Sequence, residues 1–484
     1  MIIAIISIYM LSVLAVGTLS HRLFRGTGED YFVATRTIGP FVLLMSLFGT
    51  HMTSFTLLGA SAQAYSVGVG VFGLLASSSA LVVPVIFFFV GTRIWALGKR
   101  YGYLTPVQFF RDRWDSSLLG LVLFVVLVAF VIPYLLIGVM GGGIAIEQIS
   151  QGAVPEWLGA LVICLVVMTY VVYGGMRGTA WVNTFQTLVF MSLAALAFVW
   201  IAYKLGGITE GIERVAEVRP DLLVREGRVQ PLKMISYVLI PVSAGMFPHL
   251  FIHWLTARKA ETFRTSVIGY PICVGIVWIC SVLIGLYGAA DFPGLQGPEA
   301  NSILVRMIRL HSPELLAGLL AAGVVAAIMS SLDSQVLCLS TMFTQDIVRH
   351  YAFGEQMSEK RQIFLARVFV AAILGMTFLI FLVSNRSIFN LGIWCFTGFA
   401  SLFPIVLAAL FWKRSSKAGV LASVIVTVLL WSYFFLQGWR DPSYTVLDSG
   451  LMPVTVVFAA SCLALWTVSL ATPAPRDEVL QRFF

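Results

Sequence analysis

Thirteen apolar runs of roughly 20 residues, separated by short polar joints, constrain this chain more than any other feature. They fall at 2–23, 39–65, 70–96, 117–146, 157–175, 181–204, 233–256, 266–289, 314–343, 364–384, 388–411, 418–437 and 450–471. A helix of about 20 apolar residues crosses the hydrocarbon core of a bilayer. Charged residues make up 11% of the 484, and the mean hydropathy is +0.93. A soluble domain needs about 25% charge to wet its surface. The sequence therefore describes an all-α polytopic membrane protein, and soluble, fibrous and disulfide-scaffold classes are excluded.

Charge placement predicts orientation. With the N-terminus outside, the loops on the inner side collect 21 of the 31 Lys and Arg residues. Six of the other ten lie in or beside the long, charge-balanced loop between the sixth and seventh runs. Cytoplasmic loops carry the positive excess, and long loops weigh less in that rule. The N-terminus is expected outside and the C-terminus in the cytoplasm, with the chain in the plasma (inner) membrane. The first run has no basic segment before it and no small-residue cleavage site, so it is expected to be a retained helix rather than a leader.

The net charge of +8 is scattered in ones and twos. No basic, aromatic-interleaved domain suits nucleic acid. Cys164, Cys273, Cys280, Cys338, Cys395 and Cys462 all fall inside apolar runs, as packing thiols do. The stretch 98–116 is expected at the interface, its aromatics facing lipid and its arginines snorkelling. The whole of 1–484 is expected as one transmembrane unit. Its partners are expected to be a small-molecule solute and the bilayer, with no obligate protein partner. Catalysis is not expected, because no paired carboxylates or histidine cluster share one depth.

Two runs are interrupted. The second contains Gly49-Thr50-His51-Met52-Thr53-Ser54, a small and polar stretch in an apolar helix. Five runs later, the seventh contains Pro241, Gly245 and Pro248. Proline removes a backbone donor, and freed backbone groups survive in a membrane only where they line a polar cavity. Broken helices at matching places in two halves mark inverted-repeat carriers. Residues 39–204 and 233–411 are the expected halves; 2–23 is an extra helix, and 418–471 holds two C-terminal helices. On the ninth run Ala327, Ser330 and Ser331 stand at i, i+3 and i+4, on one helical face. Two hydroxyls and a carbonyl there, joined by carbonyls freed from a broken helix, form a hard-oxygen set for a monovalent cation.

These pieces resemble the sodium:solute symporter family along the whole chain. The similarity runs from Glu29-Asp30-Tyr31-Phe32 to Phe411-Trp412-Lys413-Arg414. It is strongest in Tyr173-Gly174-Gly175-Met176-Arg177-Gly178-Thr179-Ala180-Trp181, Phe247-Pro248-His249 and Ala326-Ala327-Ile328-Met329-Ser330-Ser331-Leu332-Asp333-Ser334. The resemblance implies a leucine-transporter-type 5+5 inverted repeat with an extra N-terminal helix. It also implies sodium symport by alternating access. Its sodium site would take the carbonyls of Gly49, Met52 and Ala327 and the hydroxyls of Ser330 and Ser331. Many relatives carry Asp where this chain has Asn183, so one Na+ per cycle is expected, with Asp333 either structural or an aid to ion exit.

The solute is expected among Thr50, His51, Thr53, Phe55, Thr56, Ser243 and Phe247. Sugar carriers of the family have Asn and proline carriers Asp at the position of His51. Phe55 and Thr56 replace the Glu and Gln that hold sugar hydroxyls. A sugar is therefore not expected. A monocarboxylate or amino acid suits a half-helix N-terminus and an imidazole donor. His249 and His253 are expected to make structural hydrogen bonds, and Trp394 and Phe399 to pack. Proton coupling through His51, or a transport-like sensor, are the competing expectations.

Overall fold

The computed structural model describes residues 2–21, 28–225, 229–353, 357–384 and 386–484. Arg22 and Arg25, counted above in the first inner loop, lie outside them. Nine helices are long and apolar enough to cross a membrane among the described residues. Two bent pairs add a span each, and two shorter apolar helices, Ala4–Gly17 and Glu156–Val172, complete thirteen segments in the predicted order.

The ends differ from expectation where polar residues still support a helix. The third span extends over Gly70–Tyr101 and the ninth over Glu314–Tyr351. The fifth and sixth are not separated by a loop. They form a stretch of helix from Glu156 to Lys204, broken at Gly175, whose φ of 56° and ψ of −160° leave the helical region. A Cβ at Gly175 would lie 2.7 Å from the Tyr31 ring, so both conformation and space require glycine there. The loop 205–232 holds a helix, Ile208–Val218, and a short turn, Pro220–Leu223, whose Leu222 carbonyl accepts from Val69 N–H at 2.8 Å.

Both interrupted runs are broken in the structure. Pro40–His51 meets Phe55–Val67 at 60°, and Pro231–Gly245 meets Pro248–Leu255 at 48°. Met52 (φ −86°, ψ 116°) and Phe247 (φ −62°, ψ 119°) are the extended residues at the two breaks. Pro248 then opens the second half-helix, where a missing N–H costs nothing. The segment entering the second span pairs with the end of the seventh. Ile38 N–H donates to Thr256 and Arg258 N–H to Ile38, each at 3.0 Å. The beginning of one broken helix thus lies beside the end of the other, as an inverted repeat requires.

Burial separates the centre from the rim. In the ninth and eleventh spans (Ile388–Phe411) 83% of the most apolar window is buried. In the tenth (Glu359–Leu382) and thirteenth (Pro453–Ala471) only 28% is. The rim helices therefore present most of their apolar surface to lipid, and the ninth and eleventh form the core against which the broken helices pack.

The expectation for 98–116 fails in one respect. Pro106–Trp114 is an amphipathic helix, but Phe109, Phe110 and Trp114 are buried against protein and not turned to lipid. Arg113 does not snorkel. It is fully buried, its Nε donating to the Ala409 carbonyl at 3.0 Å and an Nη to Trp412 at 3.1 Å. Those acceptors are carbonyls at the end of the eleventh span, which lack helical partners. The guanidinium satisfies them, and the aromatic face follows it inward.

Gly245, in the seventh span, sits so close to the eleventh that an added Cβ would enter the Phe403 ring. Gly275, in the eighth span (Thr262–Asp291), has nothing within 4 Å of the same position. Gly245→Ala should lower stability by about 2 kcal/mol, the usual cost of overpacking. Gly275→Ala should be neutral or gain about 0.5 kcal/mol. Thermal unfolding of the two purified variants in one detergent checks this; equal midpoints would contradict the packing described.

Candidate functional site

The site begins with unsatisfied backbone. A helix ends with four carbonyls that have no partner in their own helix. Where the second span stops at His51, those belong to residues at the break, deep in the bundle. Two of them are met from other spans. Ser330 Oγ donates to the Gly49 carbonyl at 3.0 Å, and it is also 3.0 Å from the Ala327 carbonyl. Tyr134 of the fourth span (Ser117–Ile149) donates its hydroxyl to the His51 carbonyl at 3.1 Å. One serine hydroxyl therefore lies between a carbonyl of its own helix and a carbonyl freed at the break of the second span, bringing three oxygens together.

The other expected ion ligands are placed differently. Met52 is buried and extended, with its N–H on Phe48. Ser331 is buried beside Ser330, but its hydroxyl donates within its own helix, to Ile328 at 3.1 Å. Gly49 leaves room for Thr187, whose Oγ1 donates to Met45 at 3.0 Å; a Cβ at Gly49 would collide with that oxygen.

Around the break lies a layer of rings. His51 Nδ1 shares a 2.5 Å hydrogen bond with the Tyr270 hydroxyl from the eighth span. The imidazole stacks on Tyr270 at 5.8 Å and meets Phe247 edge-on at 5.7 Å. Phe247, at the other break, stacks on Tyr134 at 5.5 Å and touches Phe399 at 4.9 Å. His51 and Phe247, five spans apart in sequence, are in contact.

The remaining solute candidates divide. Thr50 is fully buried and its hydroxyl has no hydrogen-bond partner. Thr53 Oγ1 accepts from the Phe55 N–H, capping the second half-helix, and Thr56 Oγ1 points at Met52 Sδ, 3.4 Å away. Phe55 turns toward the eleventh span, stacked on Phe389 and edge-on to Phe396, both at 5.0 Å. Ser243 is buried in the tight turns before the second break, its carbonyl accepting from Met246 and Phe247.

His249 corrects an expectation. It is buried with neither ring nitrogen hydrogen-bonded, held by its faces on Phe247 (5.0 Å) and Tyr134 (5.7 Å). Its helix enters the ring layer and not a polar surface, so no structural acceptor is at hand. His253 does find one, Ser334 Oγ at 3.2 Å. Ser334 also donates to Asp333 and accepts from Asn183, and Tyr170 donates to the other Asp333 oxygen at 3.0 Å. Asp333, fully buried, is thus held by hydroxyls.

Sequence reasoning missed Tyr134 and Tyr270. Each follows or precedes a proline inside its helix, Pro133 and Pro271, and a phenol beside such a break was the available signal.

The family pattern of the sodium:solute symporters matches residues 31–427. The chain belongs to the sodium:solute symporter family. It is accordingly a sodium-coupled solute symporter of a multi-pass membrane, not an enzyme. The high-affinity proline transporter of Bacillus subtilis is 26% identical, over 94% of this chain and 95% of its own. The osmoregulated proline transporter of the same organism is 27% identical, over 100% and 97%. Among solved structures, a Na+-coupled sialic acid symporter superposes with a TM-score of 0.81 at 17% identity, covering 98% and 99% of the two chains. A nucleobase-cation-symport-1 transporter gives 0.60 at 13%, covering 93% and 97%. Both carry the inverted-repeat fold expected from the broken spans.

The His51–Tyr270 bond fixes the imidazole in the ring layer. Tyr270→Phe keeps the stacking and removes the bond, worth about 1 kcal/mol. Solute half-saturation should rise about fivefold with little change in maximal uptake. An unchanged half-saturation would show that the imidazole is held by stacking alone.

Proposed function

We propose that this symporter moves a small carboxylate-bearing solute, an amino acid or monocarboxylate, inward with one Na+ per cycle. The observation that carries the reading is the Ser330 hydroxyl lying 3.0 Å from both the Gly49 and Ala327 carbonyls. It links the broken second span to the ninth at the point where oxygen ligands gather. Gly49, Met52, Ala327, Ser330 and Ser331 are the proposed sodium ligands. Ser331, whose hydroxyl now donates to Ile328, would join them by exchanging that bond for the ion.

The solute is proposed to bind at His51, Thr50, Thr53, Ser243 and Phe247, with Phe55 and Thr56 behind them. The free Thr50 hydroxyl supports this, since a buried hydroxyl without a partner costs about 1–3 kcal/mol unless a ligand supplies one. Proline transport by the two Bacillus relatives supports the amino acid class. His51, where the family's proline carriers have Asp, bears on which amino acid.

Alternating access follows from the two breaks. Sodium draws Gly49 and Met52 to the ninth span and so fixes the angle of the second; His51 and Thr50, beside those ligands, are ordered by the same event. Solute then binds against His51 and Phe247, which already touch across the two breaks, and spans two, three, seven and eight rock against the rest. Each ligand raises the other's affinity by the same factor, because coupling is reciprocal. The orientation proposed is N-terminus outside, C-terminus cytoplasmic.

Ser330→Ala with Ser331→Ala should raise the sodium concentration for half-maximal uptake at least tenfold, with normal membrane insertion. Uptake in proteoliposomes under a sodium gradient checks it. A double variant with unaltered sodium dependence would sink the assignment. Uptake driven equally by a proton gradient in potassium would favour proton coupling instead.

A further inference from the structure

The central ring layer is not the only place built for a polar ligand. A cavity of about 720 Å³ opens where the fourth-to-fifth, eighth-to-ninth and tenth-to-eleventh connections meet. Binding sites for small molecules commonly enclose about 300–1,000 Å³. In the proposed orientation this is the outer face.

Its polar groups are arranged in two sets. Glu147 ends the fourth span one turn beyond Gly143, on the same helical face. Glu156 starts the fifth span directly against Gly143: a Cβ there would lie 2.8 Å from Glu156 Cγ and 2.7 Å from its backbone oxygen. The glycine therefore lets the second glutamate come up beside the first, and both line the cavity. Asn301 lines it too. It is only 1% exposed, and its Oδ1 has no hydrogen-bond partner. Arg306 lines the same cavity, and its Nε is buried and unpartnered.

Two partly buried carboxylates side by side and an orphan amide oxygen suit a cation. Arg306 could have supplied it, yet it forms no ion pair with either glutamate. Among the described residues no three His, Cys, Asp or Glu side chains are grouped to hold a metal ion. What suits acceptors and an unpaired guanidinium lining one cavity is a single molecule with both charges. A guanidinium is the side chain best shaped for a carboxylate.

The cavity and the central ring layer share one helix. Glu147 is thirteen residues beyond Tyr134 on one helix, about 20 Å at the helical rise.

We propose that this cavity is a loading site for a small zwitterion of the α-amino acid class. The ammonium lies against Glu147, Glu156 and Asn301, and the carboxylate against Arg306. The inference deepens the transport reading above and rests on it for the solute's class, but binding here needs neither sodium nor Ser330.

The test uses the full chain in lipid nanodiscs. Trp157, half-exposed on the cavity wall, is the reporter, its emission isolated by subtracting that of Trp157→Phe. Glycine, L-proline and L-glutamine are titrated in potassium, with acetate and methylammonium as half-ligands; radiolabelled amino acid gives the stoichiometry by equilibrium dialysis. At least one amino acid should bind once per chain, at least tenfold tighter than either half-ligand. Glu147→Gln with Glu156→Gln, and separately Asn301→Leu, should weaken it tenfold or more, while Ser330→Ala with Ser331→Ala leaves it unchanged. No binding in potassium, binding that survives the glutamine pair, or half-ligands binding as well would each overturn the site. Sodium-driven uptake is scored apart. Binding in potassium without uptake would sink the amino acid reading of transport and keep the cavity; uptake without such binding would do the reverse.

Discussion

Everything distinctive in this molecule follows from carbonyl groups that a membrane helix leaves without partners. In hydrocarbon an unpaired backbone group costs several kcal/mol, so a helix can stop inside the bilayer only where other chain segments meet its end. At His51 the second span stops. Ser330 meets one carbonyl and Tyr134 another, from the ninth and fourth spans. Three helices are thereby committed to one point, and it is a point where a cation's charge could replace a hydroxyl proton. The same frugality explains Arg113, which satisfies the end of the eleventh span and turns a short amphipathic helix inward.

The fold was legible because its signals are crude and repeated. Apolar runs of spanning length locate helices by composition alone, and the two breaks were marked by Gly49–Ser54 and by Pro241, Gly245 and Pro248. What composition could not show was where one helix ends and the next begins when no polar joint intervenes. Gly175 reverses its φ in the middle of continuous helix, and the surrounding residues read as loop only because glycine and arginine are there.

The site was legible on the broken helices and illegible on their partners. Ser330 stood out as part of a small, polar face. Tyr134 and Tyr270 did not, since a tyrosine in an apolar helix buries mostly ring, and its single hydroxyl matters only once a neighbour's position is known. His249 failed for a related reason. It was expected to find a hydrogen-bond partner, but it opens the half-helix directly after Phe247, in the ring layer, where the imidazole packs by its faces. Phe109, Phe110 and Trp114 misled in the same way: an aromatic stripe reads identically whether protein or lipid covers it.

The short pairing of Ile38 with Thr256 and Arg258 has a mechanical consequence. It fastens the entry of the second span to the exit of the seventh with backbone bonds, which do not depend on side-chain identity. The two broken helices cannot tilt separately at that end without tearing the pairing. They form a yoke: a torque applied to one arm is delivered to the other arm through peptide groups alone. Side chains at the two breaks are then free to vary, because the linkage that makes one movement out of two does not pass through them.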